Sequence, residues 1–409
     1  MDKLIEAARH DMLAYEPFAR DICEWRYLRV LDAFREQRVS TSCFAPTTGY
    51  GYNDEGRDKL EAVYAAVFGC ESALCRQQIV SGSHAIALAL FGNLLPGDEL
   101  VTVGMPYDTM QTVMGLNRAT PGSLQEMGVS CRVMDVDFND LDTAVITHGL
   151  SPKTKMVEIQ RSRGYSLRPS LTVKQIGEIA NAIKQVRPDV IVFCDNCYGE
   201  FVEELEPTQV GVDLMAGSLI KNPGAGLAPG GGYVCGKEEL VERAAVRLTI
   251  PGAGRELGAS LTDNRQFYQA LLMAPQIVLE TILGNVFTAS LLERLGFDVS
   301  PSAQETRADI IQTIRLENAD RLCAYVRGIQ KYSPVDSYVT PEPCPMPGYD
   351  SDIIMASGGF VAGSSIELSA DAPLREPFAV YQQGGLSRYE VIYAITRTLM
   401  DMKEAGLLK

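Results

Sequence analysis

The chain has 409 residues, enough for a large buried core and for two domains. Its formal charge of −15, with no lysine- or arginine-rich block, argues against nucleic acid and anionic membrane surfaces as partners. No uninterrupted apolar stretch reaches about 18 residues, and Met1 to Ala7 lacks the basic start and apolar middle of a signal peptide, so a cytoplasmic location is expected. Ten cysteines follow no repeating spacing, and three histidines (His10, His84, His148) lie far apart. The one Cys-x-x-Cys, Cys194 to Cys197, has no second pair, so reduced thiols and no metal site are expected.

Residues 1–45 read as a helical arm: Phe18, Ile22, Trp25, Leu28, Leu31 and Phe34 recur every three to four residues, and Pro17 is expected to break the segment. The stretch Thr47 to Arg57 gathers three glycines, two tyrosines and an arginine ahead of a helix expected from Asp58, a composition that suits a functional loop as well as a connector. Strands and helices then alternate. Gln77 to Val80 reads as a strand running into the turn Ser81-Gly82-Ser83-His84 and a helix. Leu100 to Val103, Met156 to Gln160, Val190 to Cys194 and Leu214 to Ile220 are further strands, with a helix near 173–186. Runs that are apolar throughout fit strands covered on both faces, so residues 46–285 are expected to form a large α/β domain. From 286 to 409 the pattern suits a smaller α+β unit. It comprises strands at 310–316, 352–356 and 364–369, helices at 318–330 and from 387, and an irregular loop from Ser333 to Asp350.

Two strand ends carry the chemistry. The run Met215 to Gly226 delivers Lys221 into a glycine-rich turn, and Val190 to Asn196 ends on Asp195. In parallel sheets ligands collect beyond the carboxyl ends of strands, where an acid and a lysine can face one molecule. Pyridoxal phosphate needs that pair, a carboxylate for its ring nitrogen and an amine for its aldehyde. The Ser81–His84 turn suits a phosphate at a helix N-terminus, although a Ser-Gly-Ser turn serves equally as a plain helix cap. Ser218 is placed to donate to the same phosphate or to pack in its strand. Tyr107, after the strand ending at Val103, suits ring stacking or core filling. Arg161 and Arg163 flank Ser162 at another strand end and suit a carboxylate or phosphate clamp, or solvent.

Seven segments together, Gly49–Arg57, Ser81–Ile86, Gln160–Tyr165, Asp195–Phe201, Gly217–Gly224, Arg247–Gly252 and Ser365–Asp371, give the chain a resemblance to the bacterial aluminium-resistance protein family. These proteins are described as methionine gamma-lyase-like or cystathionine beta-lyase-like. The resemblance covers nearly the whole chain. It implies an aspartate-aminotransferase-like fold (fold type I), bound pyridoxal phosphate, and homodimers or homotetramers with active sites shared across the dimer interface. By position, Lys221 matches the Schiff-base lysine, Asp195 the ring-nitrogen partner, and Tyr107 the stacking tyrosine. Ser218 and the Gly82-Ser83-His84 turn match the phosphate site, and Ser162 is grouped with the cofactor-binding set. Tyr52 and Arg57 match a tyrosine and an arginine supplied by the neighbouring subunit.

One position departs from the related cysteine and methionine lyases, which hold the substrate carboxylate with an arginine just before a Leu-Ser pair. Here Glu367 precedes Leu368-Ser369, and Arg375, Arg163 or Arg161 are the candidate replacements. The chemistry this implies is elimination of a thiol from a sulfur-containing amino acid. Lys221 acts as base, Tyr107 or Tyr52 protonates the leaving sulfur, and the products are a 2-oxo acid and ammonia. An aminotransferase on the same scaffold and a pyridoxal-phosphate-binding regulator without catalysis are the alternatives.

Overall fold

A computed structural model describes residues 1–346, 349 and 351–408; 347, 348 and 350 of the expected 333–350 loop lie outside them. Helix α1 (Asp2–Glu36) is followed by helix α2 (Glu55–Phe68), strand β1 (Ser72–Arg76), α3 (Gly82–Asn93), β2 (Glu99–Val103), α4 (Asp108–Met114) and β3 (Ser130–Met134). Next come α5 (Thr143–His148), β4 (Thr154–Gln160), α6 (Val173–Val186), β5 (Ile191–Asp195), β6 (Leu214–Ser218), β7 (Gly232–Gly236) and α7 (Glu238–Leu248). These strands form one seven-stranded sheet in the order β1-β7-β6-β5-β4-β2-β3, parallel except for β7, which runs antiparallel to both neighbours. The apolar runs follow from its position between two helical layers. Leu100, Met156, Phe193 and Leu214 face α3, α4 and α7, while Val101, Val157 and Val192 face α5 and α6.

The 30-residue helix α8 (Arg265–Arg294) leads to a five-stranded antiparallel sheet. Its strands are β8 (Asp298–Ser300), β9 (Ile311–Arg315), β10 (Ile353–Ser357), β11 (Ser369–Pro373) and β12 (Ala379–Gln383), in the order β10-β11-β12-β9-β8. Helices α9 (Ala319–Lys331) and α10 (Arg388–Glu404) complete this unit. α8 is apolar and long enough to cross a membrane, yet 78% of its most apolar window is buried in the protein. The domain boundary expected at 285 falls inside α8, whose buried residues run from Phe267 to Leu292 and pack in one continuous core with residues of both sheets.

Three local expectations are corrected. α1 continues through Pro17. Proline costs a helix interior about 3 kcal/mol, and α1 offsets this by packing Ala8, Met12, Ala19, Cys23, Val30 and Ala33 into the core shared with α8. That face is built of small residues, so Phe18, Leu28 and Leu31, expected to be the packing stripe, stand exposed. The strand expected at 77–80 is a turn, and β1 lies just before it, where its five residues are buried and paired with β7. The strand expected at 364–369 begins at Ser369, because Glu367 is committed elsewhere: its carboxylate accepts the N–H groups of Phe360 and Val361 at 2.6 and 2.9 Å.

Candidate active site

Parallel strands that end together present their last residues to one cavity. β4, β5 and β6 deliver Gln160, Asp195 and Ser218 to a space of about 220 Å³, and the turn after β6 adds Lys221. Gly82, Ser83, Tyr107 and Ser162 line the same cavity. Seven of the expected residues therefore converge from segments up to 139 residues apart in the chain, Gly82 to Lys221 being the outermost pair.

The Ser81–Ser83 turn is the N-terminus of α3. The Ser81 hydroxyl caps it by accepting the His84 N–H at 3.1 Å, and the first-turn residues Gly82 and Ser83, whose N–H groups have no partner within the helix, line the cavity. Glycine at 82 is a steric need, since a Cβ there would lie 2.9 Å from the Ser218 Cβ. This contact holds the turn against the end of β6. The Ser83 and Tyr107 hydroxyls are 2.8 Å apart, and Gln160 accepts the Tyr107 N–H at 2.9 Å, so Tyr107 is fixed at both ends. His84 is elsewhere: its Nδ1 accepts the Val80 N–H at 3.1 Å, and its side chain supports the turn from outside the cavity.

Asp195 is buried, and its Oδ1 accepts the Cys197 N–H at 3.1 Å. Burial raises its pKa, opposed by Lys221 and by the Cys197 hydrogen bond. Lys221 rests its ammonium 3.8 Å from the centre of the Tyr198 ring. Burial pulls the lysine down, but Cys197, Tyr198, Asp195 and Tyr107 outweigh it and hold the group well above the ordinary lysine value. Asn222 pins the lysine turn by donating to the carbonyls of Tyr198 and Glu200 at 3.0 and 2.8 Å. Tyr198 takes a left-handed backbone, φ 72°, to bring its ring under Lys221.

The arginines are not in the cavity. Arg161 is fully buried, pairs with Glu203 at 2.6 Å and Glu206 at 3.5 Å, and donates to Asn196. Arg163 donates to the Ser300 carbonyl and hydroxyl and to Thr313. Arg57 binds the Gly51 and Gly258 carbonyls and Asp58. Within this chain none of the three lines the cavity and most of their donors are engaged by the fold; Arg57 is expected at the neighbouring subunit's site, and Arg161 keeps its Nε without a partner. Arg375 is exposed at the β11–β12 turn, and Tyr52 is 59% exposed with its ring on Tyr50; neither lines the cavity.

Sequence reasoning missed Tyr165, Tyr198 and Tyr349 in the wall, and two buried acids nearby, Glu158 and Asp371. Tyr165 stacks between Tyr349 and Tyr381 at 5.5 and 5.2 Å. Asp371 accepts from Gln383 at 2.7 Å and interacts with Tyr165, and burial pushes it to about 6. The signal for the first two was position, for both stand within three to five residues of strand ends already singled out. Tyr349 comes from an irregular loop that carries no such signal.

The family model for methionine gamma-lyase matches residues 1–403. The chain belongs to this family. It is thereby a carbon–sulfur lyase of fold type I that uses pyridoxal phosphate. A Bacillus subtilis relative, the uncharacterized protein YnbB, is 46% identical over 391 residues, covering 95% of this chain and 93% of the relative. A crystal structure from Listeria monocytogenes, provisionally described as a cystathionine beta-lyase involved in aluminum resistance, superposes with a TM-score of 0.95 at 46% identity, covering 98% and 99% of the two chains. A carbon–sulfur lyase involved in aluminum resistance from Clostridium novyi gives 0.94 at 43% identity, covering 98% and 95%.

Proposed function

We propose that this lyase releases a thiol from a sulfur-containing L-amino acid of the methionine, cystathionine or cysteine-conjugate class, giving a 2-oxo acid and ammonia. The observation that carries the reading is the meeting of Lys221 and Asp195 in one cavity with the open first turn of α3. The residues fit pyridoxal phosphate by their chemistry. Gly82, Ser83 and Ser218 supply uncharged donors for a phosphate at a helix N-terminus. Asp195 is a buried acid suited to a protonated ring nitrogen, Tyr107 offers an aromatic face, and Lys221 is the amine to which the aldehyde attaches. When bound, the cofactor supplies an electron-poor ring that accepts the negative charge left at the amino acid's Cα.

The chain's own residues do the rest. Lys221 would take the Cα proton, its amine steadied by the Tyr198 ring. Asp195 would hold the protonated ring nitrogen: burial raises its pKa, the Cys197 N–H and Lys221 oppose that rise, and a cationic ring would favour its ionised form further. Tyr107 holds a proton for the leaving sulfur, and its hydroxyl is aimed by Ser83. Tyr52 lies outside its own chain's cavity and serves only in a homo-oligomer, where it reaches the neighbouring copy's site.

The deciding experiment is the visible spectrum of purified protein before and after addition of L-methionine, L-cystathionine or L-cysteine, with 2-oxo acid and ammonia assayed in the same tube. A band that shifts with one substrate while both products appear supports the lyase reading and names the substrate. Stable conversion of the cofactor to its amine form, without ammonia, would make the protein an aminotransferase.

A further inference from the structure

Glu158 is 1% exposed, its Oε2 has no hydrogen-bond partner, and no mechanistic role has so far been given to it. Register places it. In β4 and β5, Gln160 pairs with Asp195 and Glu158 pairs with Phe193. Alternate residues of a strand share a face, so Met156, Glu158 and Gln160 project to the same side as Phe193 and Asp195. That side carries the cavity, with Gln160 and Asp195 in its floor. Glu158 thus lies one layer beneath Asp195, flanked by Thr102 of β2 and the apolar side chains of Met156 and Phe193.

The ionisable groups that bear on Glu158 are Asp195 and Cys194 of β5 and Arg168 from the segment ahead of α6. Arg168 does not neutralise it by contact, since its guanidinium donates to the carbonyls of Pro169, Gln160 and Ser162. A carboxylate buried without a cation or donors costs several kcal/mol, so the neutral acid is the form the fold accepts near pH 7. Burial, with Asp195 adding to it, pushes Glu158 to about 8.

We propose that Glu158 is a positioning residue that sets the charge behind Asp195: protonated, it leaves Asp195 as the one carboxylate at that end of β4 and β5, and ionised, it adds a second. This rests on the pyridoxal-phosphate reading above and goes beyond it by giving the site an acid that touches neither substrate nor cofactor. Its ionisation makes the floor more negative and favours the proton on the lysine–cofactor linkage. A residue that cannot ionise removes that support. At an effective dielectric of about 20, one unit charge at about 12 Å moves a neighbouring titration by on the order of one pH unit.

The test is a pH titration, from 6 to 10, of the visible absorbance of wild-type holoenzyme beside E158Q and E158M, with cofactor content and melting temperature recorded. We expect both variants to keep the cofactor and to move the alkaline midpoint down by about one unit, equally, because neither can ionise. Midpoints within about 0.2 unit of wild type in whichever variant folds would overturn the proposal. So would a shift in E158M alone, which would mark a packing effect. A wild-type protein that shows no cofactor band even after incubation with pyridoxal phosphate would instead overturn the reading on which the proposal rests.

Discussion

The cavity floor and the arginine shell behind it are both buried and both charged, and they differ in how much bonding capacity is left. Among the described residues Asp195 accepts from Cys197, and Lys221 has a ring face in place of a carboxylate contact. Arg161 meets two glutamates and an asparagine, and Glu206 passes the network on to Arg26 of α1 at 2.8 Å. Arg163 and Arg57 are likewise committed to backbone and hydroxyl oxygens. Charged groups already paired within the fold hold elements together. Those that remain under-coordinated next to a cavity are available to a ligand.

Mutation at each side of this contrast should separate the two roles. Lys221→Ala should have the largest effect, loss of turnover by at least about 1,000-fold with loss of the cofactor's covalent attachment and an unchanged fold. Near wild-type turnover in that variant would end the assignment. Asp195→Asn should keep cofactor binding measurable while lowering kcat about 100- to 1,000-fold, read by steady-state kinetics on the reconstituted protein. On the scaffold side, Arg161→Met should cost about 3–5 kcal/mol in urea unfolding, because Glu203 and Glu206 lose a buried cation. A tenfold rise in KM with no stability loss would return Arg161 to the substrate.

The next effect depends on pH. Glu158 stands at about 8 in the folded protein against an ordinary 4.5, so the fold prefers its protonated form. The stabilisation is fully present below about pH 4.5 and is lost as pH rises through about 8. E158Q should therefore be more stable than wild type at pH 9, by up to about 5 kcal/mol, with the gap closing towards pH 4.5. A gap that is the same at both pH values would show that ionisation is not its source. The smallest effect is expected for Tyr52→Phe, about a tenfold drop in kcat with cofactor content unchanged. Because Tyr52 stands outside its own cavity, co-assembling that variant with Lys221→Ala should restore part of the activity, and no restoration would confine each site to one chain.

Much of the large domain was legible because a central parallel sheet demands it. Strands covered on both faces must be apolar along their length, so β2, β4, β5 and β6 stand out as short apolar runs, and the polar residues that end them, Asp195 and Ser218, mark the ligand edge. β7 lacked that signal because glycines bracket it, and β3 because its residues are mostly half-exposed at the sheet edge. In α1, the buried face is the one made of alanine, cysteine and a buried arginine, which no hydrophobic stripe announces.

Composition, strand-end chemistry and a family-wide pattern of motifs thus determined the fold class and the cofactor, and singled out Lys221, Asp195 and the Ser81–His84 turn as candidates, since each signal is carried by a short run of residues adjacent in the chain. Tertiary structure alone decided which charges were free. Whether Arg161 clamps a substrate or ties Glu203 to Glu206, and whether Glu158 is a packed strand residue or an acid under Asp195, depends on partners 42 to 45 residues away or on the neighbouring strand's register. Burial makes those partners decisive, because a charge removed from water has no other source of compensation.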